Sequence, residues 1–138
     1  MVNDSDYIES LICWASDKDY FVEFNSGGEN TICSVSKTID INDKQSPRMQ
    51  LICLLHECGH ILIYENGSVP DFKHLKNFDE DNIESFYRVN RVLEEAEAWK
   101  RGRSLADRLA IPIDDEEWER EKIYALQKYI NWASKKRR

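Results

Sequence analysis

The chain has 138 residues, 41% hydrophobic and 33% charged, with a formal net charge of −7. That size suits one domain around one core (residues 1–138), and the balance excludes a disordered chain. The acidic charge argues against direct nucleic-acid binding, and no apolar run approaches the roughly 20 residues that span a bilayer.

The first residues, Met1-Val2-Asn3-Asp4-Ser5-Asp6, lack the basic-then-apolar layout of a secretory signal, so a cytoplasmic location is expected. There, Cys13, Cys33, Cys53 and Cys58 should stay reduced. They form no C-x-x-C pair, and their apolar neighbours make them read as small buried hydrophobes. The basic run Lys135-Lys136-Arg137-Arg138 reads as a solvated terminus.

In chain order, Tyr7, Ile8, Leu11, Ile12, Trp14 and Ala15 recur at helical spacing over about 4–17, with Asp4 or Ser5 as cap. Residues 20–24 are aromatic and β-branched and predict a strand. Residues 25–30, with Gly27 and Gly28, predict a turn. Residues 31–35 and 37–41 alternate and predict one or two more strands. Ser46 caps and Pro47 opens a helix over about 47–64, which stops near Asn66 and Gly67. Residues 66–80 read as a loop. A long helix over about 80–109 follows, and Ile111-Pro112-Ile113 ends it. Asp114 then starts a last helix, with Glu117 three residues on as in a capping box. Trp118, Ile123, Leu126, Tyr129 and Ile130 on that helix are expected to pack into the core. The fold class is α+β: a small antiparallel sheet of about three strands packed with helices.

The second helix carries His56-Glu57-Cys58-Gly59-His60 inside a strongly apolar stretch. Histidines four apart share a helix face and can aim at one metal ion from successive turns. Glu57 lies beside them, within reach of a water on that metal. Two histidines do not hold a catalytic zinc alone; a third protein ligand is expected, with one position left for water. Glu94, Glu95 and Glu97 on the following helix are the candidates. Glu95 shares its face with Val92, Trp99, Gly102 and Ala106, the least charged face, and is favoured. Glu94 follows and Glu97 comes third. At least one of the three is expected to be a solvated partner of Arg91, Lys100 or Arg101. Gly102 would allow close approach to the motif helix.

The Ser46-Pro47-Arg48 start, the segment Leu54-Leu55-His56-Glu57-Cys58-Gly59-His60-Ile61-Leu62 and the later Glu95-Ala96-Glu97-Ala98 resemble the ImmA/IrrE class of metallopeptidases over about residues 20–106. That class shares H-E-x-G-H and a later E-x-E-A segment whose first Glu, matched here by Glu95, is the third zinc ligand. The class usually continues Asn-x-Phe-Ala, whereas this chain has Trp99-Lys100-Arg101-Gly102. The resemblance implies a zincin-like minimal domain. It also implies a protein substrate of the transcriptional-repressor kind, in phage, mobile-element or stress circuits.

The resulting expectation is a zinc metallopeptidase: Zn2+ on His56, His60 and Glu95 activates a water, and Glu57 is the general base. His74 and Tyr87 are candidates to stabilise the oxyanion, and Asp79, Glu84 and Asn90 to orient the imidazoles. The alternatives are a catalytically silent zinc-binding regulatory protein of a phage or mobile element, and a metal-free protein with both histidines in its core.

Overall fold

The computed structural model describes residues 2–66 and 83–135. His74, Asp79, the loop expected beyond Asn66 and the basic residues after Lys135 lie outside them. The elements are α1 (Asp4–Asp17), β1 (Phe21–Asn25), β2 (Thr31–Cys33), β3 (Thr38–Asn42), α2 (Pro47–Asn66), α3 (Ile83–Arg108) and α4 (Asp115–Ala133). The class is α+β as expected. No helix among the described residues is long and apolar enough to cross a membrane.

The sheet departs from the antiparallel expectation. Its order is β1-β3-β2, with β1 parallel and β2 antiparallel to β3. Ser26 and Gly27 make a turn as expected, but it does not join neighbouring strands. The polar side chains of residues 25–30 instead bind across the end of β3: Asn25 Nδ2 donates to Asp40 Oδ1 at 2.8 Å, Ser26 Oγ to Asp43 Oδ1 at 2.7 Å, and Asn30 Oδ1 accepts from the Asn42 amide at 2.8 Å. β3 takes the centre because Ile39 and Ile41 can be fully buried there, while the three residues of β2 suffice for an edge.

The caps differ in detail from the sequence reading. Asn3, not Asp4 or Ser5, caps α1, in a reciprocal box with Asp6. Ser46 caps α2 as expected, its Oγ accepting from the Met49 amide at 3.2 Å. Asp114 caps α4, but through the Glu116 amide at 3.0 Å. Glu117 is drawn away to Arg48 Nε at 2.8 Å, and the same guanidinium reaches Asp4, so one arginine ties together the starts of α1, α2 and α4.

Ten of the 20 residues of α2 are buried, which makes it the central helix, packed against α1, α3 and the sheet. Its contact with α3 is unusually close. A Cβ on Gly59 would collide with the carbonyl oxygen of Ala98, and one on Gly102 would lie 2.6 Å from the carbonyl oxygen of Leu55. Each helix thus sets a glycine against the other's backbone. Val92, Glu95, Trp99, Gly102 and Ala106 all lie at least partly inside, on the α3 face turned to α2.

Two other burial expectations fail. Cys13 and Cys33 are exposed, one on the outer side of α1 and one on the outer side of edge strand β2; Cys53 is half-buried and Cys58 fully buried. On α4, Trp118 is in the core, but Ile123 and Ile130 are exposed because that helix packs chiefly on α3 and nothing described covers its far side.

Alanine has the higher helix propensity, by about 1 kcal/mol, so relief of a weak contact would show as stabilisation. Gly59→Ala is expected instead to destabilise by about 1–3 kcal/mol, because overpacking against backbone cannot be relieved by a rotamer change. Urea unfolding would measure it, and a midpoint equal to or above wild type would mean the helices do not cross this closely.

Candidate metal centre

α2 presents His56, Glu57 and His60 from one turn, and α3 brings Glu95 against them. A ring nitrogen or carboxylate oxygen from each of His56, Glu57 and His60 lies within 4.8 Å of the others, close enough to hold a metal ion. Glu57, His60 and Glu95 are 3%, 1% and 2% exposed, which is rare for such groups unless they are paired or bind a metal.

The three α3 carboxylates have distinct positions. Glu95 Oε2 lies 2.8 Å from His56 Nε2 and 3.2 Å from His60 Nε2. Both Nε2 atoms therefore converge on one carboxylate oxygen. Glu94 Oε2 lies 3.0 Å from His60 Nδ1, the other side of that ring. The contact is close but bent, since Nδ1 has no well-aligned hydrogen-bond partner. Glu97 turns away and accepts from Arg101 Nε at 2.9 Å, fulfilling the expectation that one of the three is a structural ion pair.

His56 is held on three sides. Its Nε2 faces Glu95, its Nδ1 lies 3.2 Å from Glu57 Oε1, and its ring stacks on Trp99 at 4.4 Å with 16° between planes. Trp99 in turn meets Trp118 edge-on at 4.9 Å, which links the site to the core. Glu57 Oε2 is buried and has no hydrogen-bond partner. A buried carboxylate oxygen is seldom left so unless it serves a ligand or a reaction.

The site lines a cleft of about 680 Å³ between β2 and α4. Thr31 and Ile32 form one wall, Tyr124, Ala125 and Lys128 the other, and Met49 and Cys53 continue the floor along α2. Of the residues named for supporting roles, Tyr87 is exposed and meets Trp132 edge-on, outside the cleft lining. Asn90 Oδ1 is buried without a partner, so it orients neither imidazole. The side chain of Glu84 lies outside the described residues. The carboxylates that do meet the imidazole Nδ1 atoms are Glu57 and Glu94. Their places, next to one histidine in sequence and next to Glu95, were the available signal.

The electrostatics follow from burial. Burial opposes charge on His60, but the Glu94 and Glu95 carboxylates outweigh it and lift its pKa to about 9. Burial likewise opposes charge on His56, and contacts with Glu57 and Glu95 raise it. Burial alone would push Glu95 up; the two histidines hold it far below the usual carboxylate range. Glu57, Glu94 and Glu95 surround the two imidazoles, and the guanidinium of Arg91 contacts Glu94 and Glu95. Three carboxylates against one such cation leave two negative charges. Two imidazolium protons neutralise them, and so would one divalent ion with neutral imidazoles. The donor set of two imidazoles and a carboxylate is one that zinc accepts. Cys58 points into the core and does not compete for it.

No family model, no curated protein and no solved structure matches this chain.

Two pH effects are expected. In the metal-free protein, raised His60 contributes stability that is complete below about pH 6.5 and lost as pH rises through about 9. Depressed Glu95 contributes stability that is present above about pH 4.5 and lost on acidification. Thermal unfolding with chelator should therefore give a maximum between those limits, and a melting temperature still rising from pH 7 to 10 would contradict the pairing. Zinc uptake at pH 7 should release at least one proton per ion, that of His60, measured in weak buffer; release of none would mean that His60 is not a ligand.

Proposed function

We propose that this chain is a zinc-dependent metallopeptidase of the ImmA/IrrE type, acting on a protein substrate. The observation that carries the reading is the convergence of both imidazole Nε2 atoms on one oxygen of Glu95, in a cleft that also holds the partnerless oxygen of Glu57. His56, His60 and Glu95 would hold the ion. Bound there, zinc would polarise a peptide carbonyl and lower the pKa of a water.

The chain's own groups supply the rest. Glu57 takes the proton of the attacking water on Oε2 and returns it to the leaving amine. Trp99 keeps the His56 ring in one orientation by stacking. The cleft walls, one from an edge strand and one from a helix, leave room for an extended peptide segment. A transcriptional repressor is the substrate class that the family resemblance supports. The compartment that suits four free cysteines is the cytoplasm.

A second reading has its own support. The 3.2 Å contact of Glu57 Oε1 with His56 Nδ1 is the geometry of a carboxylate that orients a ligand imidazole. On that reading the chain is a catalytically silent zinc-binding regulatory protein of a phage or mobile element. Glu57→Gln separates the two. The peptidase reading expects full zinc content and a turnover loss of about 10²-fold or more. The regulatory reading expects weaker zinc binding and no cleavage by either form. Zinc-loaded protein incubated with a repressor panel and read by mass spectrometry gives the turnover. If the wild type takes up no zinc at micromolar concentration, both readings fall and the histidines are core residues.

A further inference from the structure

Glu95 divides its two oxygens between different partners. Oε2 faces both histidines, while Oε1 lies 3.2 Å from Arg91 Nη2. We propose that Arg91 is a positioning residue that restricts Glu95 to one-oxygen ligation and so keeps a coordination position of the metal centre open. This rests on the peptidase reading of the same site and adds what holds that site in its reactive form.

On a solvated helix, an arginine and a glutamate four residues apart are worth about 0.3–0.5 kcal/mol and fix nothing. Arg91 and Glu95 differ in three respects. The Glu95 carboxylate is buried, so its contact with the guanidinium is little screened by water. The guanidinium is itself held elsewhere: Nη1 pairs with Glu94 Oε2 at 2.5 Å, and its carbon lies 5.8 Å from the ring centroid of Tyr129 on α4. Glu94 in turn lies beside His60 Nδ1 at 3.0 Å. Arg91 is therefore braced by α3, by α4 and, through Glu94, by α2.

The consequence is geometric. A carboxylate with both oxygens free can bind a small cation through one or through both. If Glu95 used both, its second oxygen would join the water as a fifth ligand atom and take the position that a peptide carbonyl needs. To do so here, Oε1 must leave Arg91, and a half-buried guanidinium would lose one of its two carboxylate partners. A lysine could not substitute fully, because a single ammonium does not offer the fork that reaches Glu94 and Glu95 together.

The test uses the whole chain loaded with cobalt(II) in place of zinc, whose visible bands weaken when a fifth ligand atom joins four. Arg91→Met is expected to lower the intensity of those bands by about two-fold or more, as Glu95 turns its second oxygen to the metal. Arg91→Lys, which keeps the charge and the better chance of folding, is expected to shift in the same direction by less. Circular dichroism establishes that each variant is folded. If wild type binds cobalt and folded Arg91→Lys and Arg91→Met both keep its band intensities, the positioning role is wrong while the metal centre stands. If wild type binds neither cobalt nor zinc, the metal centre itself is wrong and this role goes with it.

Discussion

The close crossing of α2 and α3 is the constraint on which the rest of the site depends. Gly59 lies against the backbone of Ala98, and Gly102 against that of Leu55. Two such contacts, spaced along both helices, set their separation and their register at once. Gly59 sits between the two histidines, and Glu95 is three residues before Ala98. With the register set, Glu95 must face His56 and His60; a slip by one residue would bring Glu94 or Ala96 there instead. The glycine of the motif is thus a packing residue whose effect is felt at the site.

Around that crossing the molecule concentrates charge where it has little water. Three carboxylates and one guanidinium share the space around two imidazoles; the carboxylates raise both histidine pKa values, and the histidines in turn depress that of Glu95. Such an arrangement is costly unless the charges are matched closely, so it demands either protons or a cation at its centre. Apolar contacts hold it from outside: Trp99 stacks on His56, and Trp118 braces Trp99 from α4. Trp99 is therefore part of the wall of the site.

α4 adds the far wall of the cleft. Its Tyr124, Ala125, Lys128 and Tyr129 face the histidines across the opening, which explains why its apolar residues are not simply core. Trp118 alone is fully inside. Periodicity reports that a helix has an apolar side, but not whether that side meets a core or an open cleft, because both exclude water in part.

The elements and the heart of the site were legible in sequence because they rest on local geometry. Helical spacing puts His56 and His60 on one face, Ser46 and Pro47 start that helix, and the 3.6-residue period turns Glu95 inward with Trp99 and Gly102. What remained open depends, one local cap apart, on groups distant in the chain. The order of the strands was decided by which strand could bury Ile39 and Ile41, and by the polar side chains of residues 25–30 reaching across β3. Asn3 rather than Asp4 capped α1 because its partner, Asp6, could answer in turn. The approach of Glu94 to His60, and of Glu95 to both histidines, arises from the α2–α3 register. No property of either helix alone contains that register, because it is set by how closely two glycines let the backbones approach.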